Sequence, residues 1–199
     1  MEKLISHLKE INILKTKRII DAFSYIDRKD FVLPEYQDEA YLDHPLHIGY
    51  RQTISQPFTV AFMLELLQPK QGDRILDVGS GSGWTTALLA HITGPKGKVS
   101  GVEIIPKLVQ FGKNNLKKYD LPNATIVEAG EKLGLPQSPF DKILVSAESQ
   151  DVPQELINQL HIGGTMIIPI KHSIWKVVKA SQRKTKIQKF EGFVFVPLV

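Results

Sequence analysis

The chain has 199 residues, 42% of them hydrophobic and 23% charged, with 14 glycines and 12 prolines, a globular composition that excludes disorder and collagen-like or low-complexity repeats. It contains no cysteine, which excludes disulfides, thiol nucleophiles, iron–sulfur clusters and cysteine zinc sites together. A formal charge of +4 permits an anionic partner without demanding one, and no apolar run reaches the ~18 residues of a membrane span.

The length suits one domain with an appendage. The opening segment MEKLISHLKEI carries charges where a signal peptide would be apolar, so a soluble, cytoplasmic protein is expected. Leu4, Ile5, Leu8, Ile11 and Leu14 recur at three- and four-residue steps, the spacing of one helix face, and Ile19, Ile20, Phe23 and Ile26 mark a second helix over 18–26. Residues 1–40, closed by Pro34 and the polar stretch after it, read as a helical prefix. Residues 41–57, YLDHPLHIGYRQTISQP, are polar and punctuated by Pro45, Gly49 and Pro57, so an irregular binding loop is expected there.

From Phe58 onward strands and helices alternate. An amphipathic helix is expected over 58–67, followed by a buried strand over 74–78 and a helix over 85–92. A strand over 98–103, a helix over 106–119 opened by Pro106, and strands over 125–128 and 142–146 come next. A helix over 153–160 and a strand over 165–170 follow, and two more strands, 175–180 and 192–198, flank a basic turn. This order predicts an α/β fold: a doubly wound, mostly parallel, Rossmann-like sheet with helices on both faces and an antiparallel hairpin at one edge. The chain then reads as a single domain, with the prefix at 1–40, the loop at 41–57, the core at 58–170 and the hairpin at 171–199.

Ligands of such sheets sit beyond the carboxyl ends of the strands. The first core strand ends in Asp77-Val78-Gly79-Ser80-Gly81-Ser82-Gly83 and a helix follows, so the glycines can turn the backbone sharply against a ligand. Glu103 ends the next strand, 20 positions after Gly83, where a carboxylate can accept hydrogen bonds from both hydroxyls of a ribose. The spacing is Gly-x-Gly-x-Gly, and Asp77 beside it would repel a pyrophosphate but suits a cationic amino group. No Gly-Lys-Ser/Thr phosphate loop is present. The pattern resembles the class I S-adenosylmethionine-dependent methyltransferases, with Asp77, Gly79, Ser80, Gly81, Gly83 and Glu103 on the cofactor. That resemblance also implies an acidic residue near the adenine amino group after the third core strand, which here is Glu131.

Gly49-Tyr50-Arg51-Gln52-Thr53-Ile54-Ser55-Gln56-Pro57 narrows the reading. It resembles the signature of protein-L-isoaspartate O-methyltransferases, as do Phe31-Val32-Leu33-Pro34, Ala40-Tyr41-Leu42-Asp43, Phe140-Asp141, Gly163-Gly164, Ile168-Pro169 and Phe195-Val196-Pro197-Leu198. The resemblance implies repair of damaged proteins: methyl transfer from S-adenosylmethionine to the free α-carboxylate of an L-isoaspartyl residue, after which the ester collapses through a succinimide. The expected partners are damaged proteins or peptides carrying isoaspartyl residues, met by a monomer. Ser55 falls at the family's proposed active-site serine, and Gln52, Thr53 and Ile54 would line the pocket beside it. A carboxylate with a pKa near ~3.5 is already ionised at neutral pH, so Ser55 is expected to position it by a hydrogen bond, with no general base required. The other role open to Ser55 is to cap the helix that follows.

Four positions depart from the family pattern. Arg51 replaces a glycine and could bind the substrate carboxylate or narrow the entrance. Gly130-Glu131-Lys132 replaces Gly-Asp-Gly, Ser146-Ala147-Glu148-Ser149 places a carboxylate where small residues are usual, and Lys171-His172-Ser173 replaces a glycine-rich segment. These leave open a methyltransferase of the same fold acting on another substrate such as RNA, or a cofactor-binding homologue without turnover. The basic stretch 171–189 reads as an exposed, lysine-blunted edge in preference to a nucleic-acid surface. His44 and His47 lack a third ligand nearby, so no metal is expected. Trp84 and Trp175 are read as packing residues, and Gly112 as a point of close helix packing.

Overall fold

The computed structural model describes residues 1–136 and 139–198. Two helices open the chain, α1 (Glu2–Glu10) and α2 (Lys17–Tyr25), each burying the apolar face its spacing predicts. Ile11 is the exception. The helix ends at Glu10, Asn12 turns left-handed at φ 59°, and Ile11 is left 42% exposed beyond the stripe it was expected to join. Two 3-10 turns, Arg28–Phe31 and Pro34–Glu39, complete the prefix.

The segment 41–57 is more regular than its composition suggests. β1 (Leu46–Gly49) and β2 (Gln52–Ile54) pair as an antiparallel hairpin, burying Leu46, Ile48 and Ile54. Tyr50 and Arg51 form its two-residue turn, both left-handed at φ 54° and 58°. That conformation matches the twist of a tight hairpin and is usually met by Asn or Gly, so the sequence carried no turn signal.

The core follows the predicted alternation: α3 (Pro57–Leu67), β3 (Arg74–Val78), α4 (Trp84–Thr93), β4 (Lys98–Glu103), α5 (Pro106–Leu116), β5 (Ala124–Glu128), β6 (Phe140–Val145), α6 (Gln154–Asn158), β7 (Leu160–Ile170), β8 (Ser173–Ser181) and β9 (Lys184–Glu191). α3 is not amphipathic. It is apolar around most of its circumference because it lies between α2 and strands β6, β7 and β8. α5 stops at Leu116, three residues short of expectation, and β7 begins five residues early at Leu160.

One seven-stranded sheet runs in the order β5-β4-β3-β6-β7-β8-β9. Strands β5 to β7 are mutually parallel, and β8 and β9 add antiparallel. Along β3 the side chains alternate: Ile75 enters the core shared with α1 to α5, whereas Leu76 and Val78 enter the smaller one beneath α6. Chain order reverses at β3, which has β4 on one side and β6 on the other, and this places the crevice beyond the ends of β3 and β4.

The edge hairpin differs from expectation. The basic stretch is itself the last strand, β9, and residues 192–198 form no strand. The alternation Lys184-Thr185-Lys186-Ile187-Gln188-Lys189 suits an edge strand wet on both faces, and six of its eight residues are exposed. The apolar 192–198 segment is needed elsewhere. It crosses the carboxyl end of the sheet as a strap, where the Glu148 N–H donates to the Val196 carbonyl at 2.7 Å and the Leu198 N–H donates to the Glu148 carbonyl at 2.8 Å. Val199, the last residue assigned to that hairpin, lies outside the described residues.

Candidate active site

The floor of the crevice is the loop between β3 and α4. Gly79, Gly81 and Gly83 all take positive φ, at 74°, 51° and 88°. The Gly79 and Ser80 N–H groups donate to the Val102 carbonyl at 2.9 and 3.0 Å, which ties the loop to β4. A Cβ at Gly83 would stand 3.0 Å from Ile126 Cδ1 and 3.2 Å from the Gly112 carbonyl. Gly83 is therefore required by close packing on α5. It is not among the residues lining the cavity, and the same contact accounts for Gly112 inside a helix.

Glu103 reaches under this loop from the end of β4. Its Oε2 accepts from the Gly81 N–H at 2.9 Å and its Oε1 from the Ile105 N–H at 3.0 Å. Two backbone donors fix the carboxylate while each oxygen keeps a lone pair for a further donor. Glu103 is buried yet lines the cavity.

Asp77 sits elsewhere than the sequence suggests. It is fully buried behind the loop, off the cavity wall, where its Oδ2 accepts from the hydroxyls of Thr85 and Thr86 at 2.7 and 2.6 Å. Its Oδ1 is buried without a hydrogen-bond partner among the described residues. Burial pushes the carboxyl up to about 6, against the lowering effect of the two threonines, and nearby Glu103 raises it further. Asp77 anchors the first turn of α4 and contributes negative potential from behind the loop.

The cavity in front of the loop has a volume of about 400 Å³. Gln52, Thr53, Ile54 and Ser55 form its opposite wall, Glu131 and Lys132 one end, and Val196 and Leu198 of the strap its roof. A second cavity of about 630 Å³ adjoins it, lined by Phe58, Phe193 and Phe195. Thr53, Ser55, Ser146 and Val196 line both, so Ser55 stands on the ridge between two chambers.

Ser55 owes its place to residues that carry no signal in the sequence. Arg28 is fully buried and donates to four main-chain carbonyls: Ala40 at 2.9 Å, Leu42 at 3.2 Å, His44 at 2.9 Å and Ser55 itself at 3.2 Å. Its guanidinium lies 5.4 Å over the Trp84 ring. Burial lowers its pKa to about 10, with the nearby Asp43 carboxylate opposing that shift. Asp43 Oδ1 in turn accepts the Phe58 N–H at 2.8 Å and so satisfies the start of α3. The Ser55 hydroxyl is thereby released from capping and makes no hydrogen bond among the described residues. Arg28 carried no sequence signal because its partners are carbonyls, which every residue has.

Arg51 is exposed at the hairpin turn and is not among the residues lining either cavity. Glu148 also lies off both walls. Its Oε2 is 3.7 Å from His172 Nδ1, and its main chain holds the strap. Lys171 and His172 form a tight left-handed turn between β7 and β8, at φ 48° and 60°.

A family model described as protein-L-isoaspartate(D-aspartate) O-methyltransferase matches residues 1–199. The chain belongs to this family. A protein-L-isoaspartate O-methyltransferase of Methanopyrus kandleri is 41% identical over all of this chain and 90% of its own length. One from Fervidobacterium nodosum is 39% identical over 98% of this chain and 99% of its own. Among solved structures, a family member from Plasmodium falciparum in complex with S-adenosyl-L-homocysteine superposes with a TM-score of 0.87 at 26% identity, covering 99% of this chain and 97% of that one.

Proposed function

We propose that this protein is an S-adenosylmethionine-dependent methyltransferase that esterifies the α-carboxylate of L-isoaspartyl residues in damaged proteins and so begins their repair. The whole-chain family match supports this reading, and the observation that carries it is the position of Ser55 between a nucleoside-sized chamber and a second one beside it. The cofactor fits the first chamber on three counts. About 400 Å³ lies within the ~300–1,000 Å³ usual for small-molecule sites. The surrounding carboxylates of Asp77, Glu103 and Glu131 suit a ligand bearing cationic centres. Glu103 retains acceptor capacity for a ribose diol.

S-adenosylmethionine supplies a methyl group on a sulfonium, already an activated leaving group. The chain's task is then alignment and exclusion of water. Glu103 would hold the ribose hydroxyls and Glu131 would face the adenine end. Gly79, Ser80 and Gly81 let the ligand approach the main chain closely, and Gly83 and Asp77 act from behind by setting the loop. The Ser55 hydroxyl donates a hydrogen bond to one oxygen of the substrate carboxylate, leaving the other free to attack. Gln52, Thr53 and Ile54 complete that wall, and Val196 and Leu198 keep bulk water from an anion meeting a cation. The substrate arrives as an anion, so no side chain needs to remove a proton.

No helix among the described residues is long and apolar enough to cross a membrane. We place the enzyme in the cytoplasm, acting as a monomer on isoaspartyl-containing polypeptides. Its activity is tested with labelled S-adenosylmethionine, an isoaspartyl peptide and the aspartyl peptide of the same sequence. Base-labile label on the isoaspartyl peptide alone is expected. Equal labelling of the pair, or label appearing in RNA in place of peptide, would overturn the assignment.

A further inference from the structure

We propose that the outer edge of β9 is an exosite for extended, acidic polypeptide flanking the isoaspartyl residue. The inference rests on the methyltransferase reading and names the class of substrate that the site prefers.

Among the described residues β9 pairs only with β8, so the main-chain donors and acceptors along its outer side have no strand partner. Eight residues give an edge about 26 Å long, enough to template an added strand. Its side chains are charged with one sign: Lys184, Lys186 and Lys189 are exposed on the strand and Arg183 is exposed at the turn before it. The single carboxylate of the strand, Glu191, is engaged, accepting from the Ser173 hydroxyl at 2.5 Å. Lys189 lies 3.9 Å over the Trp175 ring, which fixes one ammonium beside the edge.

Continuity with the reaction chamber supplies the second argument. β9 ends at Glu191, and the next residues, Gly192, Phe193, Val194, Phe195 and Val196, wall the second chamber. The Gly192 and Phe193 N–H groups donate to the His172 carbonyl at 3.1 and 3.0 Å, which holds the end of the strand beside the chamber wall. A polypeptide whose isoaspartyl carboxylate reaches Ser55 must be locally extended to leave that chamber. One way out runs along β9. The occupant is set by charge: the lysines that would repel a second copy of the same edge attract a chain rich in Asp and Glu.

The test compares three isoaspartyl peptides: a short one, a long one with a glutamate-rich extension and a long one with a glutamine-rich extension. Each is methylated by the wild type and by the double variant Lys184→Glu/Lys186→Glu, with Lys184→Gln/Lys186→Gln as a milder second variant. Two exposed charges favour the acidic extension by about tenfold in KM at low salt, an advantage that shrinks as salt is raised. Both variants are expected to erase that advantage while methylating the short peptide at the wild-type rate. Equal KM for the two long peptides, with all three methylated, would overturn the exosite and leave the methyltransferase reading intact. Sedimentation showing a wild-type dimer that the variants dissolve would assign the edge to self-association and overturn it too. Absence of label from every peptide would overturn the underlying reading, and the exosite with it.

Discussion

The two walls of the crevice are built by opposite means. On the cofactor side the left-handed positions are filled by Gly79, Gly81 and Gly83, and the N–H groups of Gly81 and Ile105 end on one carboxylate. On the opposite side the hairpin that carries Gln52, Thr53 and Ile54 turns through left-handed Tyr50 and Arg51, which line neither cavity, with Lys171 and His172 left-handed in the turn between β7 and β8. The hairpin wall itself is fixed from behind by a buried arginine and from above by a strap with no regular structure. A nucleoside needs one rigid shape, and glycine lets the main chain adopt it without strain. Under the proposed function, a wall that meets many polypeptides can tolerate less regular backbone, provided the hydroxyl proposed to hold the reacting carboxylate is fixed. Arg28 meets that condition through the Ser55 carbonyl.

The comparison can be broken most severely at Glu103. Glu103→Ala removes the acceptor of two backbone N–H groups and, under the proposed function, of the ribose. The Kd for S-adenosylhomocysteine, measured by calorimetry, is expected to rise by about 100-fold or more. Glu103→Gln, which keeps one acceptor oxygen, should fall between that variant and the wild type. A Kd within error of wild type for both would remove the cofactor from this wall.

Asp77 gives the next largest effect, and its sign is opposite for stability and for binding. Its carboxyl is raised from 3.8 to about 6 by burial. Between those two values the folded protein holds a proton that the unfolded chain has lost. Folding stability from this group is therefore greatest below pH 4 and declines as pH rises to 6, by about 3 kcal/mol in all. Asp77→Asn should flatten that part of the profile in chemical denaturation from pH 4 to 7. Cofactor affinity should move the other way, weakening below pH 6 as the negative charge behind the loop is neutralised, and the variant should lack this dependence. Parallel pH profiles for wild type and variant would show that Asp77 is not the group titrating.

The smallest effect is expected at the hairpin turn. Arg51 occupies a left-handed position, off both chambers, where the family pattern has glycine. Arg51→Gly should relieve strain by about 0.5–1 kcal/mol net of glycine's extra chain entropy, raising Tm by about 1–4 °C. Peptide KM should stay unchanged, and a rise in KM would return Arg51 to the site.

The same contrast decides what the sequence could disclose. β3 and β4 fall on the predicted residues, and Glu103 on the cavity wall, because a buried parallel strand is a short apolar run and a glycine loop has its own composition. The order of residues did not reveal that Asp77 and Gly83 work from behind the loop. Both lie within the motif, and only packing against Thr85, Thr86 and Gly112 tells them from the wall residues. The β1–β2 hairpin was hidden because its turn lacks the usual Asn-Gly signal. The strap reads as a strand in the sequence because it is apolar, and its apolar residues serve a cavity in place of a sheet face. Arg28 was hidden for a different reason, since nothing in a sequence marks a side chain whose partners are carbonyl groups.

The claim that the two walls act separately is tested most directly at the ridge between them, by Ser55→Ala. Calorimetry with S-adenosylhomocysteine and methyl transfer to an isoaspartyl peptide would be measured on the same preparation. The expected result is a Kd within about twofold of wild type together with a fall in kcat/KM for the isoaspartyl peptide of about 10- to 100-fold, the loss of one hydrogen bond to a charged group. An unchanged kcat/KM, or a Kd that rises in step with the lost transfer, would contradict it.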